Sequence, residues 1–201
     1  MCTRYWVDES PELRPIVEEM RRSPLNARFK ERTGRSFSPG EVRPSDISPA
    51  IATDRRGQRA VFPMKWGFSG KSLLLNARAE TAAEKPTFRE CFERRRCALP
   101  ASGYFEWEHE RDEKGRIKTG QRYKIRPEGE ALTWLCGLYR IEEGLPVFVV
   151  LTREPGEGIS FIHDRMPLIL PEERVGEWIR PEADPSALLE RALTDMIFEK
   201  G

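Results

Sequence analysis

The stretch RYKIRPEGEALTWLCGLYRIEEGLPVFVVLTR (residues 122–153) decides the fold class. Within it, RYKIRP, ALTWLCGLYRI and LPVFVVLTR read as consecutive strands. Working outward, CALPASGYFEW (97–107) is extended, and ERDEKGRIKTGQ (110–121) is a polar hairpin tip joining it to the run. AVFPMKWGF (60–68) and SLLLNAR (72–78) read as strands around a glycine-containing turn, and MPLILP (166–171) adds one more short strand. Four helices are expected. SPELRPIVEEMRR (10–22) has Leu13, Ile16, Val17 and Met20 at helical spacing; Ser10 and Pro11 suit its start, with Pro15 offering a later one. KPTFRECFERR (85–95), PEERVGEWI (171–179) and DPSALLERAL (184–193) are the others. Residues 23–60, rich in Arg, Pro, Ser and Gly, read as irregular. Strands outnumber helices and no βαβ rhythm appears. The class is therefore α+β, with a mainly antiparallel, curled, barrel-like sheet and peripheral helices.

The 201 residues fit a single domain, 1–201, with no linker and no internal repeat. With 38% hydrophobic and 33% charged residues the chain reads as globular rather than disordered. VFVVL is the longest apolar run, far short of a membrane span, and the charged, proline-broken start does not resemble a secretory signal. A cytoplasmic protein is expected. The cysteines at 2, 91, 97 and 136 lack C-x-x-C spacing and are expected to be reduced thiols; no metal and no cofactor is expected. A formal charge of +1 argues against a strongly basic nucleic-acid binder but leaves room for a local groove. Basic runs occur at Arg28–Arg35, Arg55–Arg59 and Arg94–Arg96.

Four places could carry chemistry. A cysteine at position 2 becomes a 1,2-aminothiol if Met1 is removed. Reference pKa values of about 7.7–8.0 for the amine and about 8.5 for the thiol leave both partly nucleophilic near neutrality. Such a pair traps an aldehyde as an imine and then as a five-membered thiazolidine. In NARAE, extended geometry puts Asn76, Arg78 and Glu80 on one side and small alanines on the other. In GYFEW, Tyr104 and Glu106 alternate with Phe105 and Trp107, and Glu106 suits proton transfer if its face turns inward. In FIHDRMP, His163 is one of only two histidines, the other being His109 beside the charged loop, and a neutral-range pKa would suit it to donate and accept protons. No P-loop, dinucleotide fingerprint, G-x-S-x-G or HExxH is present.

Taken together, MC-x-R, PMKWGF, LLLNARAET, CALPASGYFEW and GISFIHDRMPLIL, in that order, resemble the SRAP (SOS response-associated peptidase) family of proteins that crosslink to abasic DNA. The resemblance covers most of the chain. It implies that Cys2, after loss of Met1, is the nucleophile toward abasic sites in single-stranded DNA. It implies that Asn76 positions the amine or the sugar, that Glu106 handles the amine's protons, and that His163 protonates the sugar oxygen and assists reversal in a lyase-like step. Arg4, Arg78 and Arg165 match positions expected to hold phosphates, and Trp66 matches the WG that shapes the site and is grouped with the DNA-binding residues. A monomer, associated with the nucleoid, is expected. The sequence departs from the family pattern at Thr3, where glycine is usual, and in lacking a longer loop with an exposed aromatic pair after WGF. GEVRPSD matches the family's upstream N-x-x-P segment only loosely, the C-terminus lacks the usual longer final segment, and a smaller DNA footprint is expected. Two other readings use the same residues: an N-terminal-nucleophile cysteine peptidase or amidohydrolase whose first turnover removes Met1, and a non-catalytic single-stranded nucleic-acid-binding module.

Overall fold

The structure is a computed structural model and describes residues 2–111 and 117–201. In chain order the elements are β1 (Arg4–Val7), α1 (Arg14–Arg21), α2 (Leu25–Thr33), β2 (Gly40–Val42), β3 (Ile47–Thr53), β4 (Arg59–Trp66), β5 (Asn76–Arg78), α3 (Ala79–Ala82) and α4 (Arg89–Arg94). They continue with β6 (Arg96–Ala101), β7 (Gly103–Arg111), β8 (Ile117–Pro127), β9 (Thr133–Glu142), β10 (Leu145–Arg153), β11 (Met166–Pro167), β12 (Ile169–Leu170), α5 (Glu172–Trp178), α6 (Pro185–Leu189) and β13 (Met196–Lys200).

The fold is α+β and its strands form two sheets. One is antiparallel, in the order β13-β8-β7-β1-β2. In the other, β10, β4, β3, β6 and β9 are neighbours in turn, and β9 pairs back onto β10, which closes a barrel. The closing joint between β10 and β4 is parallel, with Val147 opposite Lys65 and Phe148 opposite Trp66; the barrel's other pairings are antiparallel. Closure explains why VFVVL lacks polar alternation. Val147, Phe148, Val149, Val150 and Leu151 are all buried, because one face of β10 fills the barrel and the other is covered. On β9, Gly137 leaves no room for a side chain: a Cβ there would lie 2.9 Å from Cys97 Sγ.

Two readings of the sequence need correction. Residues 23–60 are not irregular, for they hold α2, β2, β3 and the start of β4. Proline obscured β3. Pro49 lies directly opposite Pro63 of β4, so the two residues that cannot donate fall on one rung and the rest of the ladder survives. NARAE is not extended throughout either. β5 ends at Arg78 and α3 begins at Ala79, which carries Glu80 off the line of Asn76 and Arg78. Two smaller points lie at a helix start and at the end of the chain. Pro15, the later start, lies in the first turn of α1, and the final residues add a strand, β13, on the edge of β8. The hairpin reading of 110–121 agrees with the pairing of β7 and β8, while its tip at 112–116 lies outside the described residues.

Candidate active site

β1 lies between β2 and β7, and its register with β7 sets Arg4 opposite Phe105 and Tyr5 opposite Tyr104. The chain start is thereby drawn into the interior, and Cys2 is fully buried. Asn76, from β5, donates through Nδ2 to the Cys2 carbonyl at 2.9 Å. Its Oδ1 is buried and accepts no hydrogen bond among the described residues. β5 is itself held parallel to β10, with Asn76 opposite Val150. Trp66 packs beneath. Its ring lies 5.1 Å from Tyr5 and 6.0 Å from Phe148, and its Nε1–H donates to the Leu75 carbonyl at 2.9 Å, one residue before Asn76. Trp66 has no exposed surface, so it offers DNA nothing to touch and instead sets the positions of Tyr5 and the approach to Asn76.

Glu106 does turn inward. It is 4% exposed, and burial raises its carboxyl to about pKa 7. The close approach at Gly103 permits this path of β7, since a Cβ there would fall into the Trp6 ring and within 2.6 Å of the Ile125 carbonyl. On the opposite face of β7, Arg122 lies 3.7 Å from the centre of the Phe105 ring. The Cys2 thiol departs from the sequence expectation. Burial, and secondarily the charge of Glu106, push it well above the usual thiol range. At neutral pH the sulfur is protonated, and its Sγ–H points to the Arg4 carbonyl at 3.6 Å.

His163, in the loop between β10 and β11, is 5% exposed, and burial lowers it to about pKa 4. Its Nδ1 accepts the Arg165 backbone N–H at 2.9 Å. The same Nδ1 lies 2.8 Å from Asp164 Oδ1, a contact favourable only to a protonated nitrogen. The amide bond and the lowered pKa agree on a neutral ring with its lone pair on Nδ1, so the proton resides on Nε2. An imidazolium titrating between pH 6 and 8, the sequence expectation, is therefore replaced by a neutral imidazole.

The arginines divide. Arg165 gives both arms to Glu80 at 2.8 Å each and also donates to the Thr152 carbonyl at 2.7 Å. Its fork is already filled. Arg4 pairs with Glu41 at 3.2 Å, and Glu41 also holds Arg43 and Arg122. Arg78 is exposed, and among the described residues no carboxylate pairs with it. Arg96, from one of the basic runs, is buried and bonds the carbonyls of Trp178, Phe92 and Glu93, so it braces the fold. Sequence reasoning missed Glu41 and Thr152, which carry no motif of their own, and it set His109 apart although that ring lies 3.9 Å from His163.

The chain is thus an α+β protein in which a barrel joins an antiparallel sheet and a buried cysteine, carboxyl and imidazole and a half-buried amide lie near the chain start. The chain belongs to the SOS response-associated peptidase (SRAP) family, whose model matches residues 1–199. It is 33% identical over 165 residues to the abasic site processing protein YoaM of Bacillus subtilis, covering 73% of this chain and 70% of that one. It is 33% identical over 157 residues to the abasic site processing protein YedK of Escherichia coli, covering 73% and 68%. With another relative, YoqW of Bacillus subtilis, the match is 38% identical but spans 52% of that protein. A crystal structure of a protein from Bacteroides thetaiotaomicron superposes with a TM-score of 0.71 at 23% identity, covering 99% of this chain and 91% of that one, a likeness of fold. Among the described residues no helix is long and apolar enough to cross a membrane.

Proposed function

We propose that this protein processes abasic sites in DNA, and that it does so by crosslinking single-stranded DNA to Cys2 after Met1 is removed. The names of its relatives support the first part. The second rests on one observation: Asn76 anchors the Cys2 carbonyl at 2.9 Å inside the site, beside a carboxyl raised to about pKa 7.

The amine of Cys2 adds to the sugar aldehyde, and loss of water gives an imine. The Sγ–H then adds across that C=N bond: sulfur bonds to carbon, the proton passes to nitrogen, and the thiazolidine closes. Because burial keeps the sulfur protonated, this last step needs a base, and Glu106 as a carboxylate takes the thiol's proton and returns it to nitrogen. Asn76 Oδ1 is an acceptor for the amine. His163, neutral, gives a hydrogen bond from Nε2–H to the ring oxygen as the sugar opens; the proton the ring oxygen gains comes from the anomeric hydroxyl. Reversal passes through the same proton transfers. The strand is held by its backbone without reading of sequence.

The test is intact mass before and after mixing with a single-stranded oligonucleotide bearing one abasic site. The expected product is a chain beginning at Cys2 joined to the oligonucleotide with loss of one water. A chain that keeps Met1 and still crosslinks rules out the thiazolidine route.

The arginines give a separate prediction. Arg78 is the exposed cation of the set, so Arg78→Ala should weaken binding to all sequences alike and flatten the salt dependence by about 0.7 in log–log slope, the value for one phosphate contact on a single strand. Arg165→Ala should leave that slope unchanged, since its guanidinium is engaged by Glu80. Binding titrations at several salt concentrations measure both.

A further inference from the structure

We propose that His109, His163 and Asp164 form a binding site for a divalent transition metal such as Zn2+, and that the bound ion withholds His163 from the reaction. The second half rests on the function proposed above; the first does not.

One ligand atom from each of the three residues lies within 4.8 Å of the others. A tetrahedral ion with bonds of about 2.0–2.1 Å sets its ligands about 3.3 Å apart. His163 is buried and fixed, while His109 and Asp164 are exposed and can swing the remaining distance. Two imidazoles and a carboxylate suit Zn2+, Co2+ or Ni2+ rather than Mg2+ or Ca2+, which prefer oxygen alone.

Two features of the backbone bring the set together. A register shift in the β7–β8 ladder between Trp107 and His109 re-aims the strand, as bulges do. The His109 N–H then donates to the Ile162 carbonyl at 3.1 Å, which ties β7 to the loop carrying His163. The rings are left 3.9 Å apart. The third observation concerns charge. His163 Nδ1 lies 2.8 Å from Asp164 Oδ1, so imidazole and carboxylate already face each other. A cation bound there is held by ring nitrogen and negative charge together. To bind through Nε2, the ring keeps the Arg165 amide on Nδ1 and gives up its Nε2–H donor, so it is lost to the reaction.

The experiment has two arms. Zn2+ binding is measured by calorimetry, and Co2+ binding by visible absorption, on the Cys2→Ser protein without DNA, so that no terminal thiol contributes. One ion per chain is expected, with affinity reduced by at least about 10-fold in His109→Ala and in Asp164→Asn. Crosslinking rates are then compared in EDTA and in Zn2+. Zinc should slow the wild-type chain, whereas His109→Ala should match the wild-type rate in EDTA and be unaffected by zinc. Absence of binding, or zinc bound equally by His109→Ala, overturns the site. Equal inhibition of His109→Ala overturns the link to His163. If neither the wild type nor His109→Ala crosslinks in EDTA, the reading of Cys2 is overturned instead, and the first arm still decides the metal site.

Discussion

Cys2→Ser should form no heat-stable adduct with an abasic oligonucleotide, while borohydride should still trap it. The variant keeps the terminal amine, so the imine forms and is reducible. The hydroxyl is a far weaker nucleophile than sulfur, and its oxygen ring reopens more readily than a thiazolidine. Serine is nearly isosteric with cysteine, and the Asn76 bond is to the backbone carbonyl of residue 2, so the site's geometry should survive the change. Denaturing gels after heating, with and without borohydride, measure both outcomes. Heat-stable adduct equal to that of the wild type would remove Cys2 from the mechanism, and absence of the reducible adduct would mean that the amine is not the first nucleophile.

Glu106→Gln should slow adduct formation by about 100-fold or more, the lower range for loss of a general base. It should also change the shape of the pH profile. A carboxyl held near pKa 7 by burial is half ionised at neutrality, and only the carboxylate can accept the thiol's proton. The wild-type rate should therefore rise with pH through about 7. The glutamine variant should lack that inflection. His163→Ala should slow the reaction without removing the inflection, because a ring at about pKa 4 stays neutral across the range. Single-turnover rates in EDTA, with binding measured separately, give the profiles. A profile for Glu106→Gln parallel to the wild type assigns the base elsewhere.

The barrel was legible because its strands are long and apolar. β9 and β10 declared themselves, and so did the burial of Ile16, Val17 and Met20 on α1. β3 was hidden by Pro49 and β2 by its three-residue length, since propensity says little about a strand whose partners lie far off in sequence. Of the site, the residue types could be named from MC, NAR, GYFEW and FIHDR. Their electrostatics could not, because pKa follows burial and burial is a property of the assembled barrel. The sequence puts Cys2 and His163 near their reference values and makes a raised Glu106 conditional on its face turning inward; enclosure moves all three. The arginines carry the same lesson. Nothing in the order of residues says that Arg165 will meet Glu80 and that Arg78 will not.

β10 runs between β5 and β11, and Thr152 is the rung they share, opposite Arg78 on one side and Pro167 on the other. The strand thus works as a ruler for two segments that lie some ninety residues apart in the chain. Relative placement of Asn76 and the loop bearing His163 is referred to one rigid piece of backbone rather than to each other. Insertions at the β7–β8 tip or beyond β13 leave that reference untouched, whereas a single residue added within Val150–Thr152 would shift the two halves out of step and flip the side chains beyond it. Variation in length across such proteins should therefore collect at the hairpin tip and the chain end and spare the middle of β10.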